Sequence, residues 1–268
     1  MENPDDVVIT GIFIRCAMSE NVEEFKNNLM DGINMVHENP ERCDEDYFGV
    51  PKAHGFIKNI KKFDATFFGV HPKQAEGMDP HLRILHEVAY ESLIDAGMNP
   101  AEIKNTNTGV SMGTMNSDAR EAWTSLDIDE VDGYSLIGTH RAFLANRLSF
   151  TFDLRGPTFG IDAACCTSGM AVYQGYNHIK NGQCTAALVR GVSLVYRPKI
   201  AYQISKLGLL CKDSKCKVFD EAADGYVRFE AIMCFLLQKR KDARRICATL
   251  VHSKTNNDGY KEQGVTYP

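Results

Sequence analysis

Apolar and polar positions along the chain follow two alternating periods, and their order predicts an α/β protein. "DDVVITGIFI" reads as a short buried strand ending at Gly11. In "NVEEFKNNLMDGINMV" the apolar residues Val22, Phe25, Leu29, Ile33 and Val36 recur at helical spacing, with Asn21 placed to cap them. From Glu38 to Ile60 the pattern breaks around Pro40, Gly49, Pro51 and Gly55, which predicts an irregular surface connection. The clearest helix is "MDPHLRILHEVAYESLIDAGMNP". Asp79 caps it, Pro80 suits its first turn, Leu82, Leu85, Val88, Ala89 and Leu93 form one stripe, and Gly97 and Pro100 end it.

Further along, Thr108 to Met112 reads as a strand and Gly138 to Phe150 as a helix. "PTFGIDAA" predicts a buried strand that runs into a helix starting near Cys165 and ending around Asn181–Gly182. The strand "CTAALVRGVSLV" follows. The loop "LCKDSKCKVFDEAADGY" then leads to two more strands, "FEAIMCFLLQK" and "ICATLVHSK". Strands alternating with helices predict a buried, largely parallel sheet. No repeat, low-complexity stretch or internal boundary interrupts the pattern, so residues 1–268 read as one domain.

Composition narrows the function. Hydrophobic residues make up 44% and charged residues 24%, with a net charge of -5, an ordinary globular balance. "KRKDARR" is the densest basic stretch, but Asp242 interrupts it, and a solvated surface explains it better than a nucleic-acid footprint. No apolar run approaches the roughly 20 residues of a membrane span, and the acidic N-terminus lacks a secretory pattern. The expected setting is cytoplasmic, where nine cysteines read as free thiols rather than as a disulfide framework.

Two of those cysteines are adjacent, in "GIDAACCTSGMAV". Metal-site spacing is absent: Cys165 and Cys166 touch in sequence, Cys211 and Cys216 have four residues between them, and the eight histidines are scattered. The C-x-x-C of a dithiol redox enzyme is missing too, and adjacent cysteines close a disulfide only by distorting the peptide between them. Two readings stay open. Ala163 and Ala164 permit a sharp strand-to-helix turn with Cys165 in the first turn, where unpaired amides and the helix dipole favour a thiolate. Alternatively, the pair is buried packing, a common use of free cysteine.

The same segment, extended to "GPTFGIDAACCTSGMAVYQGYNHIKNGQCTAALVRGVSLV", resembles the active-site region of β-ketoacyl synthases. "FDATFFGVHPKQAEGMDPHLRILHEVAYESLIDAG", "ANRLSFTFDLRGP" and "KVFDEAADGYVRFE" resemble the same domain in the same order. "TNNDGYKEQGVTYP" is most like the ketosynthase of animal-type multifunctional fatty acid synthases. The resemblance implies a thiolase-like fold, here its N-terminal half, with a mixed, mostly parallel sheet flanked by helices. It implies a homodimer formed through the strand at about Thr158 to Asp162. It also implies that Cys165 is the acyl-accepting nucleophile. Acyl and malonyl groups would arrive on the phosphopantetheine of an acyl carrier protein, with decarboxylation of the malonyl unit driving condensation in fatty acid biosynthesis. The domain itself is expected to bind no cofactor or metal.

The resemblance also marks departures. The family's catalytic histidines and lysine lie in its C-terminal half, one in an H-G-T-G-T-like motif, and the chain ends at Pro268 before it. His178 and His252 therefore read as structural. The expectation is an incomplete ketosynthase that exposes apolar surface. Arg190 and Ser193 replace a glycine and an asparagine, Phe229 and Ala231 stand in the R-S-E-G position, and Ile14 and Ala17 replace Gly and Pro. Phe229 is expected to overpack its site at about 1–3 kcal/mol. The alternative reading is a diverged, inactive ketosynthase-like binding or scaffold protein.

Overall fold

A computed structural model describes residues 3–42, 49–115, 117–130 and 132–264; Cys43 and the last four residues of the fatty-acid-synthase-like tail lie outside these ranges. In chain order the elements are β1 (Val7–Cys16), α1 (Val22–Met30), β2 (His37–Glu38), β3 (Ala53–His54), α2 (Pro72–Glu76) and α3 (Pro80–Asp95). Next come β4 (Thr108–Gly113), α4 (Asp118–Thr124), α5 (Gly133–Thr139), α6 (Arg141–Thr151) and β5 (Thr158–Ile161). The chain then forms α7 (Thr167–Lys180), β6 (Ala186–Ser193), α8 (Pro198–Lys206), β7 (Ala231–Lys239) and β8 (Ala248–Thr249).

Six strands form one sheet in the order β5-β4-β6-β7-β1-β8. Parallel pairings join β5, β4 and β6, while β6–β7, β7–β1 and β1–β8 are antiparallel. Four strands (β1, β4, β5 and β6) therefore run one way, and β7 and β8 run the other. Helix α3 and helix α6 cover one face. Leu82, Leu85, Val88, Leu144 and Leu148 pack there with Met112, Leu188 and Leu236. Helix α7 covers the other, where Ala171 and Ile179 meet Ala187, Val189 and Leu237. Each of these large side chains is worth about 1.5–3 kcal/mol when fully buried, so the two apolar layers fix the helices to the sheet.

Several boundaries differ from the sequence pattern for identifiable reasons. Strand β1 continues past Gly11 to Cys16 because a bulge between Ile9 and Gly11 keeps it paired with β7. Gly11 is needed at that point: a Cβ there would lie 2.0 Å from the Ser92 carbonyl oxygen of α3. Helix α1 keeps its Asn21 cap but stops at Met30, ahead of Gly32 at φ +66°, so Ile33 and Val36 fall outside it. The predicted helix from Gly138 divides into α5 and α6 because His140 takes an extended conformation between them. Strand β5 lies at the sheet edge and is not buried, with Phe159 47% exposed. The last strand shrinks to two residues, which leaves His252 beyond it. Helix α8 is not among the elements the sequence pattern predicts, although Pro198 stands at its start.

Phe229 does not overpack the core. It is half-buried and lies over Gly55, where a Cβ would come within 2.2 Å of its ring. Backbone bonds from Gly55 N–H to Arg228 O (3.0 Å) and from Glu230 N–H to Gly55 O (2.8 Å) hold the two segments together. The missing side chain at Gly55 thus supplies the room that Phe229 uses.

Candidate active site

The loops that follow β4, β5 and β6 leave the same end of the three parallel strands, the usual position for a site in such sheets. After β5, the chain turns through Asp162 and Ala163 into a short 3-10 turn, Ala164–Cys166, and then into α7. Cys165 therefore sits just ahead of the α-helix rather than inside its first α-turn. Both Cys165 and Cys166 are free and exposed, which excludes the buried-pair alternative in this structure.

The turn is held tightly. Ala164 takes φ +48°, a left-handed conformation that costs a non-glycine residue about 1–3 kcal/mol. The Ala164 N–H donates to Asp162 Oδ1 at 3.2 Å, and Asp162 is itself gripped by Arg141 of α6. Thr167 works from the other side: its hydroxyl accepts from Ala163 N–H (2.8 Å) and donates to Ala164 O (2.5 Å). The Cys166 side chain, at the N-cap position, makes no capping hydrogen bond to α7. The amide end of the helix is left facing the turn that carries the thiol, an arrangement that favours developing negative charge.

Two strand-end glycines let α7 come this close. A Cβ on Gly113 would lie 2.9 Å from Thr167 Cγ2, and one on Gly191 would lie 2.8 Å from Ser168 Cβ. Beside the first turns of α7, a cleft of about 160 Å³ opens between Ser168, Val172, Val189, Gly191, Met233 and Phe235.

A second set of residues braces the same end of the sheet, and of these the sequence pattern marks only Asp79, as a helix cap. Buried Asp79 accepts from His81 N–H (2.8 Å), the Tyr196 hydroxyl (3.2 Å) and the Ser117 hydroxyl. Tyr196 in turn accepts from Ala119 N–H at 2.9 Å. Asp118 accepts from the N–H groups of Tyr196 and Arg197 at 3.2 and 3.1 Å, and its burial pushes its carboxyl above the usual range. Nε2 of His81 accepts from Leu194 N–H at 3.2 Å, so its proton sits on Nδ1, which faces Asp79 at 3.1 Å. Together these groups tie the loops after β4 and β6 to the start of α3. Glu230, fully buried, does the same for the chain around Ile57 and Val195, accepting from both N–H groups (2.8 and 2.7 Å) and from Arg42 at 2.5 Å.

The remaining sequence-flagged residues scatter. His178 is buried on α7, tilted against the Phe159 ring at 5.2 Å, with burial lowering its pKa. His252 lies edge-on to Tyr176 at 6.3 Å, and neither joins the Cys165 turn. Among the described residues no group of three His, Cys, Asp or Glu side chains is placed to hold a metal ion. No helix there is long and apolar enough to cross a membrane.

A sheet covered by helices on both faces, with a thiol on the turn between an edge strand and a central helix, defines a ketosynthase-class, thiolase-like α/β protein. The chain belongs to the β-ketoacyl synthase N-terminal domain family, whose model matches residues 4–243. It is 50% identical over 264 residues to a fatty acid synthase of the goose Anser anser anser, covering 98% of this chain and 75% of that sequence. A highly reducing polyketide synthase of a Cryptosporiopsis fungus is 40% identical, over 81% of this chain but 9% of its own length. The fatty acid synthase is thus the better match of the two types. Among solved structures, the module 6 ketosynthase of the bacillaene synthase from Bacillus subtilis superposes with a TM-score of 0.79 at 30% identity. An oxazolomycin ketosynthase domain from Streptomyces albus gives the same values. Each covers 89% of this chain, while the chain spans 41% and 43% of them, about two fifths of a solved ketosynthase.

Proposed function

We propose that residues 1–268 act as the N-terminal part of a single ketosynthase domain of fatty-acid-synthase type, with Cys165 as its acyl-accepting nucleophile. The observation that carries this reading is the exposed thiol on a strained, doubly braced turn at the start of α7. In the proposed step, the Cys165 thiolate attacks the carbonyl carbon of an acyl thioester on a carrier phosphopantetheine. The carrier thiol leaves with the proton, and the acyl group remains on sulfur. The amides around the turn and the start of α7 would hold the oxyanion as it forms, the interaction that most often supplies the largest share of such catalysis. Condensation with a malonyl thioester would follow, with loss of CO2, and would draw its proton-handling groups from outside the residues described here.

The partners in this reading are an acyl carrier protein and a second copy of the chain. The exposed edge strand β5, with Phe159 on its surface, supports pairing between copies. The proposed location is cytoplasmic. A second reading, a diverged scaffold without activity, is favoured by Arg190, whose guanidinium is buried with no hydrogen-bond partner among the described residues. Labelling with an acyl-type thiol reagent separates the two. An acyl nucleophile labels at Cys165 well ahead of the exposed Cys216, whereas equal rates at the two positions would remove the nucleophile assignment.

A further inference from the structure

The geometry points to a second use of the Cys165 turn: Cys165 and Cys166 together form a dithiol site that binds trivalent organoarsenicals, reagents that take two thiolates at once. Both residues lie in the one 3-10 turn, both are free, and both are exposed. Neither thiol hydrogen-bonds to another described residue, so neither must break a contact to turn. Successive residues of a 3-10 turn project about 120° apart, but exposed cysteines rotate freely among their χ1 wells and can converge on a shared atom. Consecutive Cα atoms stand about 3.8 Å apart, a spacing that two rotated cysteine side chains would span through one bridging arsenic. A direct S–S bond is different, because its length of about 2.05 Å forces distortion of the intervening planar peptide. An inserted arsenic widens the ring and removes that demand.

There is also room for the reagent. Ala164, Ser168 and Gly169 are exposed around the thiols, and a Cβ on Gly169 would meet nothing within 4 Å. The reaction balances without an oxidant. Two S–H bonds break, two As–S bonds form, the oxide oxygen leaves with both protons as water, and arsenic stays trivalent. Cys211 and Cys216 also lie near enough to act on one another. Cys211 is buried there and its thiol pKa is pushed up by burial, and Cys216 Sγ accepts from Val227 N–H at 3.3 Å. That pair is the worse chelator.

The site requires both sulfurs, whereas the acyl reading requires Cys165 alone, so the two can fail separately. Phenylarsine oxide is added to the full chain, and the adduct is read by intact mass and peptide mapping. The expected result is one adduct per chain on the Cys165–Cys166 peptide, stable to excess monothiol and removed by a dithiol. Linking two contacts in one ligand raises affinity by roughly a hundredfold or more. Cys166→Ser should lose that margin, and Cys165→Ser should lose it equally. Mapping to Cys211 and Cys216, undiminished binding to Cys166→Ser, or no adduct would each overturn the inference. Acyl labelling at Cys165 in Cys166→Ser is read in parallel: its survival beside a failed adduct sinks the dithiol site alone, and its loss beside a formed adduct sinks the nucleophile alone.

Discussion

Replacing Arg190 with methionine should stabilise the protein. Arg190 stands on β6 between Met112 of β4 and Cys234 of β7, and strand alternation places it on the same face as Ala186 and Leu188, toward α3. It is 1% exposed, and none of its three guanidinium nitrogens has a hydrogen-bond partner among the described residues. Burial lowers its pKa to about 10 from the ordinary 12.5, with the neighbouring Cys234 pulling weakly the other way. A shift of that size corresponds to about 3 kcal/mol of lost stability, at about 1.4 kcal/mol for each unit. The sign follows from a base whose folded pKa is depressed. The penalty is complete at every pH below about 10, and it fades only as the folded guanidinium gives up its proton above that value.

Methionine keeps the straight chain of the arginine stem and removes the charge, so Arg190→Met should gain about 3 kcal/mol at neutral pH. Urea unfolding followed by far-UV circular dichroism would show it as a midpoint higher by about 1–3 M, given usual urea slopes. Arg190→Lys keeps a buried charge and should gain nothing. An unchanged or lowered midpoint for Arg190→Met would refute the reasoning, because it would mean that the guanidinium has a partner worth as much as its burial costs.

Other consequences are equally direct. Glu230→Ala strips Arg42 of its carboxylate and leaves the N–H groups of Ile57 and Val195 without their acceptor, a loss of about 3–5 kcal/mol measurable in the same titration. Gly191→Val drives a branched side chain into Ser168, so the start of α7 must shift, and labelling of Cys165 should slow by about tenfold while Cys216 labels as before. His86 is buried with both ring nitrogens occupied by Leu82 O (2.7 Å) and Thr151 Oγ1 (3.0 Å), and burial lowers its pKa to about 4. The unfolded imidazole binds its proton first, so stability should fall as pH drops from about 6.5 toward 4, and His86→Gln should flatten that slope in urea midpoints taken across the range. Phe159→Lys places a charge on the exposed β5 edge and should shift any dimer toward monomer on a sizing column, with unchanged elution removing β5 from the contact.

Which parts of this were legible in the sequence depends on how local their causes are. Helix α3 could be read almost to the residue because its cap at Asp79, its proline and its terminating Gly97 at φ +73° are all properties of one segment. The Cys165 turn was legible for the same reason, since small residues between an apolar run and a helical stripe lie side by side in the chain. The exposure of strand β5 is not legible in its own apolar run, because burial of a strand is decided by its neighbours in the sheet, and only the order of strands places β5 at an edge.

The bulge at Gly11 and the berth of Phe229 against Gly55 are longer-range still. Each is a pairing of a residue with a glycine far away in the chain, where the signal is an absent side chain. Arg190 is the instructive case. Its charge in an otherwise apolar strand is visible in the sequence, but the cost that dominates is not. The strand accepts its backbone and stays paired on both sides, Met112 to one and Cys234 to the other. What the layer beneath α3 fails to offer is an acceptor for the guanidinium, and that shortfall belongs to the residues facing it rather than to Arg190 itself. The fold tolerates Arg190 because the penalty, about 3 kcal/mol, is smaller than the combined burial of the leucines packed around it on the same face.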